Sequence, residues 1–74
     1  MTFGENLRKI RKEKKISQIM LYKKTGFPQT TISDWENNKY LPDVMEALKL
    51  AAVLKINLSQ LLNGNFKSPK PKVS

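Results

Sequence analysis

The four residues Thr25-Gly26-Phe27-Pro28 constrain this chain most, because they leave room only for a tight turn between two short helices. Glycine takes the positive φ that such a turn needs. Pro28 pushes Phe27 toward extended backbone and suits the first turn of the helix that follows. Upstream, Ser17 is a good N-cap, and Ile16 and Leu21 stand at the positions of a hydrophobic staple around it. The pattern predicts a helix from Ser17 to about Thr25, a glycine turn, and another helix from Pro28 to about Glu36. Ile32 and Trp35 of the latter point inward, which leaves Gln29, Thr30, Ser33 and Asp34 on a polar face. At 1.5 Å per residue that helix is about 13 Å long, close to the ~12 Å width of a B-DNA major groove.

The flanking segments also read as helices. Thr2-Phe3-Gly4-Glu5 has capping-box spacing, and Phe3, Leu7 and Ile10 recur as a core stripe. Arg8, Lys9, Lys12 and Lys15 form the solvent face of this first helix, which is expected to end near Lys15. Asn37-Asn38 breaks the third helix, since asparagine tolerates left-handed backbone. Pro42-Asp43 restarts the chain, Asp43 and Glu46 repeat the capping-box spacing, and Val44, Ala47, Leu48, Ala51 and Leu54 form a scaffold stripe. Asn57 with Gln60 caps a last short helix bearing Leu58, Leu61 and Leu62, closed by Gly64. The reading is an all-α domain over residues 1–65 and a flexible basic tail over 66–74, too polar and proline-rich to pack.

Composition narrows the function. Seventy-four residues form one domain at most. Cysteine and histidine are both absent, which removes disulfides, the usual zinc ligands and the common nucleophile–base pairs. Neither an enzyme nor a metal or other cofactor is expected. The net charge is +8, and it gathers in residues 1–16, with six basic and two acidic groups, and in the tail, with three lysines and no acid. That distribution suits a polyanion such as nucleic acid. No apolar run approaches the ~20 residues of a membrane span, and the N-terminus lacks the apolar core of a signal peptide. The expectation is no membrane association and a cytoplasmic location.

Taken in order, these residues resemble the Cro/CI-type (XRE) helix-turn-helix family of phage and bacterial regulators. The resemblance spans about residues 3–62 and rests on Leu7-Arg8-Lys9-Ile10-Arg11, Ile16-Ser17-Gln18 and Gly26. It continues through Thr31-Ile32-Ser33-Asp34-Trp35-Glu36-Asn37 and Pro42, then Leu48-Lys49-Leu50-Ala51 and Leu61-Leu62. It implies a five-helix, lambda-repressor-like DNA-binding fold with helices 2 and 3 as the motif. It also implies roles. Gln29, Thr30 and Asp34, with Ser33 nearby, would face base edges in the major groove. Gln18, Asn37 and Lys39 would hold phosphates, Gln18 also bracing the recognition helix, and Arg11 and Glu36 would form a structural ion pair. Glutamine can bond adenine in bidentate fashion and a threonine methyl can pack on thymine. Asp34 fits less well, because a carboxylate repels phosphates.

The second helix departs from the family pattern. Ile19 and Met20 stand where polar residues are usual, Tyr22 where alanine is usual, Thr25 in place of an aliphatic core residue, and Lys55 where a glycine usually ends the fourth helix. Either Ile19, Met20 and Tyr22 repack a local core around Thr25, or they form an exposed apolar patch for a protein partner. Two functions follow. The first is a sequence-specific transcriptional regulator of a phage genetic switch in a bacterial host cell, bound to double-stranded operator DNA as a homodimer. The second is a modulator or antirepressor that binds a partner repressor protein. Ile56, Leu58 and the tail are candidate dimer surfaces.

Overall fold

A computed structural model describes residues 2–62, in five helices and no strand. They are α1 (Phe3–Glu13), α2 (Gln18–Thr25), α3 (Gln29–Glu36), α4 (Val44–Leu54) and α5 (Leu58–Leu62). The expected closure at Gly64 and the basic tail lie outside the described residues. No helix among the described residues is long and apolar enough to cross a membrane.

Side chains start four of these helices. The Thr2 hydroxyl accepts from the Glu5 amide and the Glu5 carboxylate accepts from the Thr2 amide, and Asp43 and Glu46 repeat this exchange at α4. Ser17 Oγ accepts from the Met20 amide, and Asn57 Oδ1 from the Gln60 amide. At α3 the boundary differs from expectation by one residue. Pro28, at φ −55° and ψ 145°, is the capping residue and not the first turn, and no side chain caps α3. The amides of its first turn therefore remain open to an outside acceptor.

Left-handed residues end four of the helices. Gly26, at φ 85°, donates to Tyr22 O at 2.7 Å. Lys15, Asn38 and Lys55 take φ 59°, 60° and 60° and close α1, α3 and α4. At each the next amide reaches back to an earlier carbonyl: Ile16 to Arg11, Lys39 to Asp34, Ile56 to Ala51. Helix α1 thus stops at Glu13, slightly before the expected Lys15.

The core is assembled from all five helices: Phe3, Leu7 and Ile10, Leu21, Ile32 and Trp35, Ala47, Leu50, Ala51 and Leu54, and Leu61. Helix α3 packs on α1 and α2, while α4 and α5 close the opposite side. Phe27, half-buried in the turn, sets its ring edge-on to Trp35 at 5.3 Å and 81°. The buried face of α4 differs from the expected stripe. Val44 and Leu48 are exposed, and Leu50 takes their place in the core. At about 100° per residue, Ala47, Leu50, Ala51 and Leu54 share one face, and Leu48 lies roughly a quarter turn from it. Ile56 and Leu58 are half-buried against the core, so only part of each is open.

Two further residues hold α1 in place. The Asn6 side chain, buried, donates to the carbonyls of Gln60 and Leu61 and so satisfies the end of α5. Gly4 lies against the end of α3, where a Cβ would overlap the carbonyl oxygens of Trp35 and Glu36. Its amide donates to Asn38 Oδ1 at 2.9 Å. A Gly4→Ala chain is therefore expected to lose about 1–3 kcal/mol of stability, as for overpacked sites generally. Scanning calorimetry would register this as a lower Tm, and an unchanged Tm would show that the α1–α3 contact yields freely.

Candidate nucleic-acid interface

The buried Glu36 carboxylate sits where three helices meet. Its Oε2 accepts from Arg11 Nε at 2.6 Å, and its Oε1 from Arg11 Nη2 at 3.1 Å. Oε1 also accepts from Gln18 Nε2 at 3.0 Å and, more loosely, from Arg8 Nε at 3.4 Å. Arg11 spends a third donor on Ile16 O, where the chain leaves α1 for α2. The expected Arg11–Glu36 ion pair is therefore present, bidentate and enclosed, with side-chain exposures of 10% and 0%. Arg8, read as part of the solvent face, reaches inward to the same carboxylate while half of its side chain stays exposed.

Gln18 extends this cluster to the start of α3. Its amide NH2 braces Glu36, and its Oε1 accepts from Gln29 Nε2 at 3.3 Å. The first side chain of α3 is thus oriented through a relay that runs from α1 through the end of α3 to α2. A side-chain amide carries two N–H donors, and one on Gln18 remains available.

The outward face of α3 carries Gln29, Thr30, Ser33, Asp34 and Asn37 at helical spacing. Gln29, Thr30 and Asn37 are exposed, and Ser33 and Asp34 are half-buried. Asn37 Nδ2 donates to Ser33 Oγ at 3.3 Å. Asp34 is not a free acid, since Lys39 approaches its carboxylate to 3.8 Å from beyond the left-handed Asn38. That proximity places positive charge at the end of the face and offsets the repulsion between Asp34 and a polyanion.

The second helix resolves the sequence ambiguity. Ile19, Met20 and Tyr22 are 51%, 44% and 45% exposed, so they do not repack a core around Thr25. Thr25 is itself buried, and its hydroxyl donates to Leu21 O and accepts from the Phe27 amide. A polar residue is accommodated there because both of its bonds stay within the turn. Sequence reasoning missed Gly4, Asn6 and Asn38 as positioning residues. The positive φ of Asn38 was signalled by the Asn-Asn pair, whereas the partners of Gly4 and Asn6 are remote in the chain.

Burial alone would raise the Glu36 carboxyl. The Arg11 hydrogen bond, the Gln18 hydrogen bond, the Arg11 charge and the Arg8 hydrogen bond outweigh it and hold the group below its ordinary 4.5. A lowered folded-state value contributes stability that is fully present above pH 4.5 and is lost as pH falls through the folded value. Glu5 is lowered too, chiefly by its hydrogen bond with the Thr2 backbone, so Glu36→Gln should flatten only part of the acid limb. Urea midpoints followed from about pH 5 to about pH 3 would measure it. Arg11→Met, which leaves the carboxylate only Gln18 and the looser Arg8, should cost about 3 kcal/mol at neutral pH, the lower end for a broken buried pair. A loss below 1 kcal/mol would show the pair to be dispensable.

Residues 7–71 match the family model described as "Helix-turn-helix". The chain is 31% identical over 62 residues to the immunity repressor protein of Bacillus phage phi105, covering 84% of this chain and 43% of that protein. It is 32% identical over 62 residues to the uncharacterised HTH-type transcriptional regulator YqaE of Bacillus subtilis, covering 84% and 53%. The chain spans about half the length of these relatives. Among solved structures, the P22 c2 repressor in complex with a synthetic operator superposes with a TM-score of 0.79 at 34% identity, over 86% of this chain and 97% of that one. The restriction-modification controller protein C.AhdI of Aeromonas hydrophila gives 0.76 at 30%, over 80% and 89%.

Proposed function

This chain belongs to the helix-turn-helix family of Cro/CI (XRE) type, and from that membership we propose that it is a sequence-specific, DNA-binding transcriptional regulator of a phage or phage-derived switch. One observation carries the reading. The exposed polar face of α3 begins at a glutamine already held by Gln18, in a fold that superposes on an operator-bound repressor. Gln29 and Thr30 read base edges, with Ser33 beside them and Asp34 accepting from an exocyclic amine. The spare Gln18 N–H, Asn37, Lys39 and the uncapped first turn of α3 hold phosphates, and the basic α1 adds long-range attraction. The protein works without catalysis or cofactor, in the cytoplasm of a bacterial host. It acts as a homodimer on half-sites about 34 Å apart, the spacing of one helical turn.

A second reading is supported by the exposure of Ile19, Met20 and Tyr22: the outer face of α2 binds a protein partner, such as a repressor whose operator occupancy it alters.

Binding to operator DNA should weaken with salt at a log–log slope of about −0.9 per neutralised phosphate. Gln29→Ala should cost about 1–3 kcal/mol and relax preference at one base pair. Fluorescence anisotropy would quantify both, and selection from random duplexes that returned no motif would overturn the reading. Ile19→Asp should leave the helical circular-dichroism spectrum unchanged while abolishing capture of a partner repressor. Retained capture would remove α2 from that role.

A further inference from the structure

A groove opens between the end of α1, the outer side of α2 and the end of α4. Ile16, Met20 and Val53 form its apolar floor. Lys14, Lys15, Lys24 and Lys55 stand around it, all exposed, and none has a carboxylate partner among the described residues. No acid lines the groove, and Glu13 of the same region is turned to Lys9 at 3.8 Å. No residue of α3 lines it either, so it is separate from the face described above.

Lysines near helix ends offset helix dipoles, but that does not account for the apolar floor between them. Nor does it account for the backbone at two of them. Lys15 and Lys55 both occupy left-handed positions, at φ 59° and 60°, where glycine is free of strain. Lysine thus stands at two strained backbone positions on the rim of this groove.

We infer that this groove docks an acidic amphipathic segment of a partner protein, its apolar side chains on Ile16, Met20 and Val53 and its carboxylates on the four lysines. Charge complementarity selects this occupant over those the chain could supply. Residues 66–74 carry three lysines and no acid and are repelled. A second copy brings a net charge of +8, with Glu36 buried and Asp43 and Glu46 engaged in their capping box. Nucleic acid satisfies the lysines but leaves the floor uncovered. The inference deepens the partner-binding reading of α2 by naming the partner's chemistry, and it shares only Met20 with that patch.

The test uses the full chain, labelled with ¹⁵N, and a synthetic helical peptide of about three turns with leucines along one face and glutamates elsewhere. Amide shifts are expected at Ile16, Met20, Lys24, Val53 and Lys55. The double variant Lys15→Gly, Lys55→Gly should bind the peptide about tenfold more weakly, two rim charges each within the range for exposed pairs. Its Tm should rise, because both substitutions relieve left-handed strain, which separates lost binding from lost folding. Met20→Ser should weaken binding with DNA affinity unchanged. Equal binding of a peptide with serines for leucines would overturn the inference, as would a random-sequence DNA duplex that shifts the same amides and competes with the peptide. Shifts confined to Ile19 and Tyr22 would keep the α2 partner surface and remove the groove. Absence of any shift on α2 would remove both.

Discussion

The Glu36 carboxylate is the point on which the geometry of this domain depends. It lies at the end of α3, is fully enclosed, and takes hydrogen bonds from α1 through Arg11 and Arg8 and from α2 through Gln18. A lone buried charge would be strongly unfavourable, and here the desolvation is offset by a bidentate guanidinium and an amide. One group therefore sets the distances among three helices. It also orients the exposed face indirectly, because the Gln18 amide that braces Glu36 presents its oxygen to Gln29.

The close approach of α1 to the end of α3 makes this possible. Gly4 lets the α1 backbone lie against the carbonyls of Trp35 and Glu36, and the left-handed Asn38 turns its side chain back to the Gly4 amide. The same turn brings Lys39 beside Asp34. Packing at one end of α3 thus determines the charge presented at that end of its outward face. At the other end, Thr25 and Gly26 shape a turn whose polar groups are satisfied locally, and Phe27 closes over Trp35.

Much of this was legible from residues alone, for identifiable reasons. Capping boxes, the Gly26 turn and the Ile32/Trp35 pair are short-range signals, so all five helices and the joint between α2 and α3 were readable, with ends shifted by one or two residues. Arg11 with Glu36 was implied by resemblance to a known family and is present in the structure. Helix α4 has more apolar residues than a single face can bury, so periodicity alone does not say that Leu50 is inside and Val44 and Leu48 outside. Local sequence puts Arg8 in solvent, because nothing near it in the chain reveals that a carboxylate 28 residues away lies within its reach.

The sequence by itself determined the helical segments, the tight glycine joint, the basic balance and the residue types offered on α3, because caps, turns and amphipathic periods act within a few positions of the chain. The tertiary structure alone decided that Ile19, Met20 and Tyr22 face outward and that Gln29 is held by Gln18. It also decided that Asp34 is matched by Lys39 and that four lysines from three helix ends surround one apolar groove. Each of these depends on which faces meet when helices distant in sequence pack. That is set by burial and by one shared buried charge, not by any local preference.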